Sequence, residues 1–553
     1  MSLLKATLPR TNLSVHRLSR SVCGQFFYSI KEWATVDPSD LDGNKCVENL
    51  VNGTWKRSSD YKTLQDPMNG KPMLRLPDTK GEELKEFGRS LLSCPSYGLH
   101  NPFYNVHRYA ELGQVNFQLA VALSDPDVIN FFAKLIQRVT PKSKEQCIGE
   151  ITTCRKWLQS FSGDQVRNLA KSFGLPGDHN GQSSQGYSFP FGPTCVITPF
   201  NFPMEIPLIQ SISSLLMGNK VLLKVDEKVS VVMEQLLRLA HLCGLPKSNI
   251  DFINCAGPVL NNLLSEFQPR MTLFTGSQSI AEKLSQDLLG KVRIEDAGFD
   301  WKVLGPDVPT KKEEFEFIVW QSDQDAYGFS GQKCSAQSML FIHENWLKTG
   351  LVNRLGKQAA RRTLKDFSLC PVLTWNNDRI QRHLDACLAV EGCTLAFGGK
   401  PLTGHSIPEC YGAFQPTAVQ VPIRVLEDPK NFDILTTELF GPFQVLVTYE
   451  DATEGVMLDV LESMKARLTA AVVSNDILFI NKILARTTNG TIYVGRRART
   501  TGAPQQHWFG PCGDPRAAGI HTAEAIKLCW SGHREVITDV GPVDADFVVK
   551  TPN

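Results

Sequence analysis

The 553 residues exceed what one hydrophobic core holds, so roughly two to four domains are expected, and 42 % apolar with 21 % charged residues is an ordinary globular composition. No apolar run approaches the ~20 residues needed to span a bilayer, which argues against a membrane-spanning helix. A net charge of +1 argues against nucleic acid as the main partner, and the basic run Arg496–Arg499 is short enough to be a solvated loop. The fifteen cysteines are scattered, with no Cys-x-x-Cys pair and no Cys/His zinc spacing. Neither a metal nor a disulfide framework is indicated, and reduced thiols are expected.

The N-terminus carries Lys5, Arg10, Arg17, Arg20 and Lys31, several Ser and Thr, and no acid before Glu32. This composition fits a mitochondrial transit peptide over residues 1–28, cleaved near Phe26 to Ser29, and hence a matrix location. Residues 33–190 read as polar turns and helical stretches without a catalytic signature, the largely apolar run Val128–Ile136 among them. Gly177–Gly186 reads as a polar loop leading into an edge strand at Tyr187–Pro190.

From Thr194 the pattern becomes regular. Short buried strands are expected at Thr194–Thr198, Lys220–Lys224, Ile250–Asn254, Met271–Thr275 and Val292–Ile294. Between them, helices are expected at Pro207–Met217, Ser230–Cys243, Pro258–Phe267 and Ser279–Leu289. This alternation implies a parallel, doubly wound α/β sheet, which binds ligands at the carboxyl ends of its strands. After Gly298 a second α/β region contains Phe315–Trp320, the Cys334 loop and Ser338–Ile342, and is expected to be catalytic. The C-terminus ends in Val536–Thr538 and Phe547–Val549, a terminal strand that lacks a partner nearby in sequence and suits pairing with another subunit.

Cys334, in Ser330-Gly331-Gln332-Lys333-Cys334-Ser335-Ala336, sits among small and polar residues as a nucleophile would, although a free cysteine is also a small buried hydrophobe. It acts only as thiolate, so a polar, partly positive surrounding is expected to help it. Glu295, beside Ala297 and Gly298 at a strand end, suits a general base acting through one water; a solvent-facing carboxylate is the plainer alternative. Asn201, in a rigid turn between Pro199 and Pro203, can donate its amide to a developing oxyanion alongside the backbone N–H of Cys334, or can simply form the turn. Lys224 and Glu227 end a strand where a dinucleotide ribose binds, and a carboxylate there repels a 2′-phosphate, favouring NAD over NADP. Gly276 and Ser277 open a helix whose N-terminus can receive pyrophosphate, but no Gly-x-Gly-x-x-Gly is present and a single glycine is a weak signal.

In chain order, Pro199-Phe200-Asn201, Lys224 to Glu227, Thr275-Gly276-Ser277, Glu295, Gly331 to Cys334 and Glu438-Leu439-Phe440-Gly441-Pro442 resemble the aldehyde dehydrogenase superfamily. The likeness runs from about residue 190 to 525. It implies a Rossmann-type NAD-binding domain (33–176 and 191–298), a catalytic domain (299–534) and a small β oligomerisation element (177–190 and 535–553) in a homo-oligomer. It also implies NAD as cofactor, held by Thr198, Pro199, Phe200, Lys224, Glu227, Gly276, Ser277, Glu438 and Phe440. Cys334, Glu295 and Asn201 would carry the catalysis of a small-molecule aldehyde. Within the family, Glu295 to Lys302, Ser330 to Ser338 and Thr501 to Gln505 are most similar to the plant-type mitochondrial branch that oxidises glutamate 5-semialdehyde, the open form of pyrroline-5-carboxylate, in proline catabolism. Ser335 and Gly519 would then bind substrate. Two departures stand out: Glu295-Asp296-Ala297-Gly298 replaces the usual Glu-Leu-Gly-Gly, and an insertion follows Phe509-Gly510 before Arg516-Ala517-Ala518-Gly519. Another semialdehyde dehydrogenase, or a noncatalytic protein on the same scaffold, are the alternatives.

Overall fold

The computed structural model describes residues 28–296, 298–502, 504–543, 547–549 and 551–552. All but Tyr28 of the expected transit peptide lies outside the described residues. Two seven-stranded sheets organise the chain, with a three-stranded sheet and a short hairpin beside them.

The first sheet is built on five parallel strands: Pro193–Thr198, Lys220–Val225, Ile250–Phe252, Met271–Thr275 and Val292–Glu295. In space Pro193–Thr198 separates the two strands that follow it from the last two, so the order reverses between it and Met271–Thr275. A crevice opens at such a switch point because the adjoining loops diverge to opposite faces. Lys220–Val225 is buried along its whole length, as expected of a strand covered on both faces. The connecting helices are Glu205–Leu216, Ser230–Leu242, Gly257–Phe267 and Gln278–Asp287. Sequence periodicity placed these elements within two residues of their observed ends. It missed the antiparallel hairpin Asn49–Val51 and Thr54–Lys56 that extends the sheet, turned by Asn52 and Gly53 at φ 46° and 79°. Asn-Gly adopts two successive left-handed residues at little cost, which suits a tight hairpin.

Four helices, Gly81–Leu92, His107–Ala122, Pro126–Val139 and Lys144–Ser160, occupy the stretch read as scaffold. Val128, Phe131, Phe132, Leu135, Ile136 and Val139 recur at helical spacing and are buried in the largest core, shared with the first sheet. Asp125 and Ser143 cap the last two helices through Asp127 N and Gln146 N.

The second sheet follows from Asp300–Leu304, its neighbours being Gln337–His343 on one side and Thr469–Val473 on the other. The apolar Phe315–Trp320 lies within the helix Lys312–Tyr327.

Three expectations change. Gln182–Gly186, read as loop, belongs to the nine-residue strand Gln182–Pro190; only 177–181 form the turn, after a further strand Lys171–Pro176. The C-terminal strand Ser531–Asp539 pairs within the chain, antiparallel to Gln182–Pro190 from Ser531↔Pro190 to Asp539↔Gln182. Its partner is remote in sequence, which is why it looked unpaired, and Phe547–Val549 is not in a strand. Residues 516–530, assigned from sequence to the catalytic part, pack on the first sheet. Ile294 N donates to Arg516 O at 2.9 Å and Ala518 N to Ile294 O at 2.8 Å. Ile526, Cys529 and Trp530 enter the largest core, and Asn219 Nδ2 donates to Trp530 O at 2.9 Å.

Candidate active site

Strand ends bring the singled-out residues together. Glu295 is the last residue of its strand, opposite Thr275 on the neighbouring one. The chain then passes Gly298 and enters the second sheet at Asp300. A Cβ at Gly298 would stand 1.7 Å from the carbonyl oxygen of Cys334, so only glycine lets the two segments approach.

The turn before Cys334 is held against its own preference. Phe329, Ser330 and Gly331 have φ of 56°, 49° and 69°, a left-handed run that two non-glycine residues adopt only under constraint. The constraint is visible. Ser330 Oγ donates to Cys370 O and accepts from Cys370 N, both at 2.9 Å. Gln332 Nε2 donates to Pro371 O at 2.9 Å, while its Oε1 accepts from Leu373 N at 2.7 Å.

Two cavities meet at Cys334 and Glu295. The larger, about 750 Å³, is lined by Thr198, Pro199, Phe200, Asn201, Lys224, Gly276, Ser277, Glu438 and Phe440, as expected, and also by Asp226, Lys228 and Trp375. It lies at the switch point of the first sheet. Thr198 Oγ1, Asn201 Oδ1, Asn261 Oδ1, Thr275 Oγ1 and Glu295 Oε1 are buried around it without hydrogen-bond partners, an arrangement that suits a polar ligand of dinucleotide size. A Cβ on Gly276 would meet the Phe274 ring at 2.5 Å, so the turn into helix Gln278–Asp287 stays narrow and its N-terminus faces the cavity. The residues present therefore fit a dinucleotide. Phe200 and Phe440 meet edge to face, centroids 6.0 Å apart.

The smaller cavity, about 320 Å³, lies on the other side of Cys334 and includes Ser335, Lys333, Glu205, His507 and His521. Two sequence-predicted residues line neither cavity. Glu227 is turned into an ion pair with Lys62 at 3.0 Å. Gly519 lies behind the Trp508 ring, which a Cβ there would meet at 2.4 Å, and its N–H points at Cys529 Sγ.

The electrostatics depart from expectation at the thiol. Burial and the carboxylates of Glu295, Asp300 and Glu438 push Cys334 well above the ordinary thiol range, instead of a positive surrounding drawing it down. The cations nearby are diverted: Lys333 lines the smaller cavity, and burial brings it down to about 8. Glu295, buried, is pushed up to about 7, and burial likewise raises Glu438 to about 8. A neutral thiol beside a carboxylate titrating near neutrality is a donor–acceptor pair.

Sequence reading missed Lys142 and Glu150. Lys142 Nζ pairs with Glu150 Oε2 at 2.6 Å and donates to the backbone oxygen of Asn201 at 3.0 Å. Glu150 Oε1 accepts from Met204 N at 2.8 Å and Glu205 N at 3.1 Å. This pair clamps the turn that carries Asn201. Nothing local announces it, because Lys142 lies in the short link before the helix Lys144–Ser160 and Glu150 within that helix, both far from Asn201 in sequence.

A sequence profile described as the aldehyde dehydrogenase family matches residues 128–513. The chain belongs to the aldehyde dehydrogenase family. A mitochondrial Δ1-pyrroline-5-carboxylate dehydrogenase 12A1 of Arabidopsis thaliana is 52 % identical, the match covering 98 % of this chain and 95 % of that one. A malonate-semialdehyde dehydrogenase 2 of Bacillus thuringiensis (strain Al Hakam) is 26 % identical over 64 % of this chain and 72 % of its own. Among solved structures, a betaine aldehyde dehydrogenase of Staphylococcus aureus in complex with NAD+ superposes with a TM-score of 0.77 at 18 % identity, covering 93 % of this chain and 99 % of that one. The aldehyde dehydrogenase fold thus embraces both sheets described above, and the two cavities are those of an aldehyde dehydrogenase whose reactive cysteine candidate stands where they join.

Proposed function

We propose that this aldehyde dehydrogenase oxidises L-glutamate 5-semialdehyde, the open form of Δ1-pyrroline-5-carboxylate, to L-glutamate with NAD, in the mitochondrial matrix and as a homo-oligomer. The observation that carries the reading is the meeting of a dinucleotide-sized cavity and a small charged cavity at Cys334 and Glu295. The full-length likeness to a pyrroline-carboxylate dehydrogenase supports the substrate and compartment. In this reading the first sheet and its helices, with residues 516–530 added, form the NAD-binding domain. The second sheet is catalytic, and the three-stranded sheet is the oligomerisation element.

Cys334 Sγ attacks the aldehyde carbon, and its proton passes to Glu295, whose raised pKa of about 7 lets it accept one near neutrality. The Asn201 amide and the Cys334 backbone N–H donate to the oxygen as it gains charge; one such donor is typically worth ~10²–10³ in rate. Thr198 to Phe200, Lys224, Gly276, Ser277, Glu438 and Phe440 would hold NAD, which when bound accepts the hydride leaving the thiohemiacetal carbon. Glu295 gives that first proton up to solvent, then takes a proton from the water that attacks the thioester and hands it to the Cys334 sulfur, which leaves as thiol. The acid formed loses its own proton to solvent and departs as a carboxylate.

The test uses protein lacking residues 1–28, mixed with pyrroline-5-carboxylate and NAD while NADH absorbance is followed. Succinate semialdehyde is the comparison substrate. NADH formation favouring the pyrroline substrate is expected. Activity on succinate semialdehyde alone would discard the substrate, and activity on neither would revive the noncatalytic reading.

A further inference from the structure

The smaller cavity holds two groups that this mechanism leaves unused. Glu205 begins the helix Glu205–Leu216 and lines the cavity, its Oε1 3.4 Å from His521 Nε2. The His521 side chain is 8 % exposed, and neither ring nitrogen has a hydrogen-bond partner. Its backbone sits at φ 81°, a conformation a histidine keeps only when the surrounding fold enforces it. The cavity's other carboxylates are committed: Glu150 serves two backbone N–H groups and Lys142, and Glu295 faces Cys334.

Charge-assisted hydrogen bonds close to ~2.7–2.9 Å, so the Glu205–His521 contact is a loose pairing in which each group still has bonding capacity. A helix-capping role for Glu205 would need neither the cavity nor the histidine. A zwitterionic amino-acid group satisfies both residues at once, its ammonium donating to Glu205 and its carboxylate accepting from His521. We propose that the Glu205–His521 pair receives the amino-acid end of the substrate and selects aldehydes that carry an α-ammonium group. The proposal rests on the semialdehyde reading above. It also gives this chain a recognition element where its loop after Phe509 carries an insertion.

Wild type and Glu205→Gln would be compared on pyrroline-5-carboxylate and on 5-oxopentanoate, which lacks the amino group. Loss of a charged partner is expected to lower kcat/KM for the pyrroline substrate about 10–100-fold, chiefly through KM, so that the preference for the amino substrate collapses. An unchanged preference, or equal losses on both substrates, would overturn the proposal. A second readout needs no turnover: protection of Cys334 from iodoacetamide at pH 8.5 by L-glutamate against glutarate. Wild type should be protected at lower concentrations of L-glutamate, and Glu205→Gln by both compounds alike. If wild type fails to oxidise the pyrroline substrate, the semialdehyde reading falls, and the protection assay still decides the pair. Equal protection of wild type by both compounds would overturn it.

Discussion

The two cavities that flank Cys334 are built in opposite ways. The larger is lined by the carboxyl ends of consecutive parallel strands and the turns that follow them, so its residues recur in short contiguous motifs. The smaller is assembled from Lys142–Thr153, Phe202–Ile206, Phe329–Ser335 and the segment from Tyr493 to His521, which only the folded chain brings together. A shared sheet edge therefore suffices to build a general cofactor cavity, whereas a selective one draws on remote, charged side chains whose pairing can be changed without disturbing the sheet.

Cys334→Ala should separate the two cavities most sharply. Removing the nucleophile is expected to cost at least about 10⁴-fold in turnover while NAD binding, read by fluorescence titration, stays within about twofold. Loss of NAD binding as well would show that the cavities do not act independently.

Lys142→Met tests whether the remote clamp supports the motif it touches. It strands Glu150 as a buried, unpaired carboxylate, and breaking a buried pair typically costs about 3–5 kcal/mol, read by denaturant unfolding. A loss below about 1 kcal/mol would mean that Glu150 takes up a proton and the clamp is dispensable.

Asn201→Ala probes the same turn from the other side, with an expected ~10²–10³-fold fall in kcat and little change in KM for NAD. A fall confined to the KM for NAD would assign Asn201 to the cofactor cavity instead.

Glu295→Gln gives the smallest effect on stability but a definite pH signature. Because burial raises its folded pKa to about 7, the ionised carboxylate destabilises the fold. This penalty is absent below the unfolded carboxyl range near 4.5, grows as pH rises and is complete above about 7. The variant should thus unfold at higher temperature than wild type at pH 8, by up to about 3 kcal/mol of stability, and coincide with it near pH 4.5. Wild-type turnover should weaken as pH falls through 7, and slowing of both single-turnover NADH formation and acid release in the variant would confirm Glu295 as the base of both steps. A full single turnover of NADH with slow acid formation would instead confine it to thioester hydrolysis. A stability gap that widens toward low pH would contradict the burial argument.

Much of this was legible in the chain. The alternation of apolar runs with helical periods from Thr194 to Glu295 determined a parallel sheet, because strands buried on both faces must be continuously apolar. The resemblance carried by the ordered motifs around Asn201, Glu295 and Cys334 marked three residues that the fold does bring to one cavity. Tertiary structure decided the rest. It turned Glu227 toward Lys62, laid residues 516–530 on the first sheet, paired Ser531–Asp539 with Gln182–Pro190, and surrounded the thiol with carboxylates. The reason is physical: backbone periodicity follows from near neighbours in sequence. The partner of a side chain, and the dielectric around it, depend on segments hundreds of residues away that no local pattern encodes.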